Sequence, residues 1–141
     1  MTRFMNQLQP GALTLIRIVL AVAMIVHGYD KLIPAGGLHR AHPLAGADGF
    51  AHYVVTLGMP HWLGYVSVVT ELVGGFFLLC GLLTRLWALL VAGDMLAAVV
   101  LVDVHHGYTG TQYSLALLTM ALLLSAAGSG ALALDRKFGI S

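Results

Sequence analysis

Residues 61–104 read HWLGYVSVVTELVGGFFLLCGLLTRLWALLVAGDMLAAVVLVDV. Two apolar runs, 61–83 and 86–104, meet at a tight turn over 81–85. A bilayer's hydrocarbon core is about 30 Å thick and takes roughly 20 mostly apolar residues per helix. Lipid offers no partner to an open backbone N–H or C=O, so runs of this length form helices. The stretch predicts a hairpin of two membrane-crossing helices, each with one acid near its middle, Glu71 and Asp94.

The same reading extends outward. A third run, 12–33, is opened by Pro10-Gly11 and closed by Pro34, and a fourth covers 112–130. The expected fold is all-α: a polytopic membrane four-helix bundle forming a single domain over 1–141. Composition agrees. The 141 residues are 59% hydrophobic and 9% charged, with a mean hydropathy of +0.89, against about 25% charged in a soluble domain. An ordinary soluble enzyme and a disordered chain are excluded. So is a nucleic-acid binder, which needs a basic patch rather than a net charge of +1. The period-2 alternation of a membrane barrel is absent. Arg17 and the length of the first run argue against a cleaved signal peptide. One cysteine, Cys80, allows no internal disulfide or dithiol motif and reads as a small apolar filler.

The loop between the first two spans is long. Its second half predicts a short amphipathic helix, capped by Asp48, with Phe50, Tyr53, Val54 and Leu57 on one face and Gly58 and Pro60 as its stop. Such a helix lies in the interface or folds back over the bundle mouth. Arg3, Arg85, Arg136 and Lys137 gather on one side, Lys31 and Arg40 on the other. The positive-inside rule then puts both termini in the cytoplasm, in a bacterial-type inner membrane.

Under that topology the polar residues are one-sided. All seven histidines fall outside: His27, His39, His42, His52, His61, His105 and His106. The tyrosines near the same interface fit an aromatic belt. Three ionisable residues lie deeper, Arg17, Glu71 and Asp94. A mid-helix charge is costly, about 2.5–3.5 kcal/mol on insertion scales, so each should face the interior and find a partner. Arg17 is expected to meet Glu71 or Asp94. Two acids against one base leave a carboxyl group to be protonated or paired with a neutral donor. The cluster either ties helices together or takes part in proton and quinone chemistry.

Helical spacing supports interior positions. Gly64, Ser67, Glu71, Gly74, Leu78 and Gly81 form one stripe, and small residues let helices approach closely in lipid. Asp94, Ala97, Leu101 and His105 should share a second stripe, since eleven residues bring the direction back within about 20°. His27 and Lys31 lie one turn apart beside Gly28. Gln112, Thr119 and Ala126 recur at sevens as a weaker polar seam.

These segments also carry a resemblance. Arg17 … His27-Gly28-Tyr29-Asp30-Lys31-Leu32 resembles the first-helix signature of the DoxX family of four-helix membrane proteins. The stretch Thr70-Glu71-Leu72-Val73-Gly74-Gly75-Phe76-Phe77-Leu78-Leu79-Cys80-Gly81-Leu82-Leu83-Thr84-Arg85 is similar to its second helix and inner loop. His105-His106-Gly107-Tyr108 and Leu134-Asp135-Arg136 fit as well. The Glu-Leu-x-Gly-Gly … Gly-Leu-x-Thr-Arg pattern is the specific part. Asp94 is not a position of the resemblance and rests on spacing. The resemblance implies a four-helix bundle linked to respiratory oxidoreductases, some relatives being membrane subunits of quinone-reducing enzymes.

The leading expectation is a membrane subunit that interacts with quinone for a partner redox subunit. His27, Lys31 and His105 would bind the head group, and Glu71, Asp94 and Arg17 would handle protons. The alternative is a non-catalytic anchor or assembly subunit for a soluble redox enzyme, alone or as a homo-oligomer. A third reading places haem or a metal on the outer histidines, with His27 and His105 as axial pair. A small proton-coupled transporter is the fourth; no span is broken in mid-membrane as many transporter sites require.

Overall fold

The computed structural model describes residues 2–33 and 44–140, with side chains from residue 8 onward. His39, Arg40 and His42, and the side chain of Arg3, lie outside the described residues. The chain runs α1 (Thr2–Leu32), α2 (Ala45–Thr56), α3 (Trp62–Cys80), α4 (Thr84–Leu101), a 3-10 turn (Asp103–His106), α5 (Gly107–Ala127) and α6 (Leu134–Phe138). Among the described residues there is no strand. Four stretches are long and apolar enough to cross a membrane: Leu8–Leu32, Trp62–Cys80, Thr84–Leu101 and Asp103–Ala127. The protein is an all-α, multi-pass membrane bundle.

Its ends differ from expectation for local reasons. Helix α1 does not open at Pro10-Gly11 but begins at Thr2 and carries Pro10 inside. The Pro10 carbonyl is occupied, accepting the Thr14 hydroxyl at 2.9 Å and the Ala131 N–H at 3.0 Å. Helix α5 starts five residues before position 112, because its polar first turn is satisfied from within: Thr111 Oγ1 donates to the Gly107 carbonyl at 2.9 Å. Helix α2 begins ahead of Asp48, which caps nothing and instead receives the Tyr65 hydroxyl at 2.8 Å.

The spans pack around α3 and α4. Gly28 of α1 lies so close to Leu72 that a Cβ there would meet its Cγ at 2.6 Å, and Gly75 meets Ile25 in the same way. Gly74 receives the Trp87 ring of α4. The expected glycine and serine stripe of α3 is buried throughout: Gly64, Ser67, Glu71, Gly74 and Leu78. The apolar core, with Leu20, Met24, Leu78, Val91, Ala121 and Leu124, fills the space between α1, α3, α4 and α5. In lipid, such close small-residue contacts and van der Waals packing drive association, since lipid tails are as apolar as the helices.

The fourth-span seam is reversed. Gln112, Thr119 and Ala126 are exposed, and Leu117, Leu118, Ala121 and Leu124 face inward. Thr119 Oγ1 donates to the Leu115 carbonyl at 2.8 Å, so its hydroxyl needs no neighbour helix.

The two ends of the bundle are distinct. At the mouth end, α2 folds back on α3 and α1, with Gly64 pressed against Ala51 and Gly46 against Leu32. At the tail end, the α3–α4 turn meets α6.

Candidate functional site

At the mouth end α3 and α4 enclose a cavity of about 420 Å³, roofed by α2. Its walls are mainly apolar, with Phe50, Tyr53, Val54, Leu57, Met95, Ala97 and Leu101 among them. Val66 and Leu90, on the membrane-spanning α3 and α4, line the cavity and are 45% and 43% exposed, so it is open between these two helices.

Most polar groups of the cavity come from α1, α3 and α4. Glu71, 1% exposed, sits where the small-residue stripe lets α1 and α3 touch. Its partner is Lys31: Nζ donates to Oε1 at 2.7 Å and to Ser67 Oγ at 3.1 Å. Nζ also lies 4.1 Å from the centroid of the Phe50 ring, a cation–π contact that joins α2 to the pair. The Asp94 carboxyl group lies beside that of Glu71. Glu71 Oε2 and Asp94 Oδ2 are both buried without a hydrogen-bond partner among the described residues. Asp103, at the outer rim, has a buried Oδ2 in the same condition. His27 also lines the cavity, its ring 5.5 Å from that of Tyr113 between centroids and tilted by 49°.

Arg17 does not belong to this group. It is 2% exposed at the tail end, and its Nη2 donates to the Leu132 carbonyl. Gly81, at φ +67°, leaves the space it fills. The expected pairing of Arg17 with Glu71 or Asp94 is therefore corrected: the guanidinium turns toward the tail and Lys31 takes its place. His105 is corrected too. Helix α4 ends at Leu101, the chain tightens into the 3-10 turn, and His105 faces outward, exposed and away from the cavity. The helical register that placed it above Asp94 stops four residues short of it, so it shares no site with His27.

Two features escaped the sequence reading. Asp103 and Ser114 line the cavity: Asp103 from the 3-10 turn, outside any regular helix, and Ser114 from the inward stripe of α5 that continues through Leu117, Leu118 and Ala121. At the tail, Asp135 Oδ1 accepts the Leu83 N–H at 2.6 Å and Oδ2 the Thr84 N–H at 2.8 Å. It caps α4 from 51 residues away. The missing local cap was the signal: Leu83 precedes α4 in left-handed backbone at φ 50° with no side-chain cap of its own.

A helical membrane bundle with a lipid-facing, acid- and lysine-bearing cavity is the class defined by this arrangement. The particular family follows from comparison with known proteins. The family model DoxX matches residues 12–106, and the chain belongs to that family. A similar protein is the one provisionally named oxidoreductase CatD from Bacillus subtilis (strain 168), 28% identical over 122 residues that cover 86% of this chain and 82% of CatD. No solved structure matches the chain significantly.

Proposed function

We propose that this protein is the quinone-interacting membrane subunit of an oxidoreductase, with the mouth cavity as the head-group site. One observation carries the reading: the cavity is apolar, reaches the lipid-facing surface, and gathers Lys31, Glu71, Asp94 and His27 around one space. Its volume of about 420 Å³ falls within the range of small-molecule sites. A quinone needs a slot reachable from lipid, a donor for each carbonyl oxygen and a source of protons. Lys31 Nζ and the His27 ring are the donors. One ammonium beside two carboxyl groups leaves room for a proton between Glu71 and Asp94. Each quinone reduced takes up two electrons and two protons; the electrons arrive from a partner redox subunit, and the carboxyl groups hand on the protons. The name of CatD supports the oxidoreductase link. Arg85, Arg136 and Lys137, gathered at the tail end, support by the positive-inside rule a topology with that end and both termini on the cytoplasmic side of a bacterial-type inner membrane.

The test is titration of a short-tailed quinone into the full chain in detergent, read by tryptophan fluorescence. Saturable binding is expected, weakened at least tenfold (about 1.4 kcal/mol) by Glu71→Gln and by His27→Ala. Absence of saturable binding, or equal binding by both variants, overturns the reading and leaves a non-catalytic anchor.

A further inference from the structure

We infer that Asp48, His52 and His61 form a site for a divalent transition-metal ion that ties α2 to the start of α3. The site lies on the outside of the mouth, and it stands independently of the quinone reading. Asp48 and His52 are one turn apart on α2, and His61 follows the α2–α3 turn directly before Trp62. One ligand atom from each of the three lies within 4.8 Å of the others.

The geometry is that of donors waiting for a common ion. His61 Nε2 is buried, has no hydrogen-bond partner among the described residues, and lies 3.5 Å from Asp48 Oδ1. That is long for an N–H···O bond. It is close to the ~3.3 Å that separates two donors on a tetrahedral ion with bonds near 2.0 Å. His52 Nδ1 donates to the Asp48 carbonyl at 2.9 Å. The same Nδ1 lies 3.6 Å from Asp48 Oδ2, so the His52 ring is held at the carboxylate with either nitrogen free to turn to an ion. The two imidazole rings meet edge to face at 4.8 Å between centroids. Tyr65 donates to Asp48 Oδ1 at 2.8 Å and holds the carboxylate in place, as outer partners of metal ligands do.

The donor set names the class of ion. Two imidazoles and one carboxylate suit zinc and its neighbours, whereas calcium and magnesium take oxygen donors. Asp48 and His52 are exposed, so water completes the coordination. Because the ligands sit on both sides of the turn that follows α2, the ion would hold the cavity's roof against α3.

The experiment uses the full chain in detergent, without a polyhistidine tag and stripped of metal, dialysed against zinc. The expected result is one zinc per chain, with affinity at least tenfold lower in the double variant His52→Ala/His61→Ala and unchanged in His39→Ala/His42→Ala. Calcium in excess leaves zinc bound. Hydrogen exchange across α2 slows at least threefold on adding zinc in the parent protein and not in the His52/His61 variant. Failure to bind stoichiometric zinc, equal binding by the His52/His61 variant, or displacement by calcium overturns the site. Unchanged exchange in the parent overturns the tether.

Discussion

The two ends of the bundle treat buried polar groups in opposite ways. At the tail, polar side chains bind the main chain: Arg17 the Leu132 carbonyl, Thr14 the Ala131 N–H at 2.9 Å, Asp135 the amides of Leu83 and Thr84. At the mouth, polar side chains bind each other, Lys31 to Glu71 and Ser67, and surround a cavity. Main-chain partners cannot move without unfolding a turn. Side-chain partners can change protonation or take a ligand in place. The tail is therefore a structural knot, though Arg17 Nε and Nη1 have no partner among the described residues, and the mouth is where chemistry has room.

That contrast can be broken by substitution, beginning where the effect is largest. Arg17→Ala removes a buried stem and orphans a carbonyl, which should cost about 3 kcal/mol. Thermal melting in detergent checks it, and quinone binding by the surviving folded protein should not change. Asp135→Ala uncaps α4 and should cost about 2 kcal/mol by the same measurement. Lys31→Met should cost only about 1 kcal/mol, because the carboxyl group that loses its counter-ion can bind a proton, whereas the carbonyl orphaned by Arg17→Ala cannot. A loss for Lys31→Met equal to that for Arg17→Ala would erase the distinction between the ends. His105→Ala, exposed and outside the cavity, should shift stability by less than about 0.5 kcal/mol and leave quinone binding as it was.

The same contrast explains what the sequence disclosed. Four spans follow from run length alone, and the burial of Glu71 follows from the small residues at Gly64, Ser67 and Gly74 around it. Positions on regular helices are periodic and so can be read: Glu71 and Asp94 share the cavity as their stripes predict, although spacing does not single out Lys31 as the partner of Glu71. The partner of Arg17 could not be read, because a main-chain carbonyl 115 residues away has no signature in a sequence. His105 was misplaced because periodicity was carried through a helix end that no proline or glycine marks; the first glycine after it is Gly107. Thr119 misled for the opposite reason, its hydroxyl being satisfied by its own helix.

The cap that Asp135 places on α4 also sets an order of assembly. Ribosomes deliver the α3–α4 hairpin well before residue 135, so its turn at Leu83 and Thr84 enters the membrane with two amides unclaimed. They are claimed only after α5 has crossed and brought α6 back to the same side. The hairpin is thus locked by a segment made well after it, and the bundle closes as a loop is closed by a later stitch.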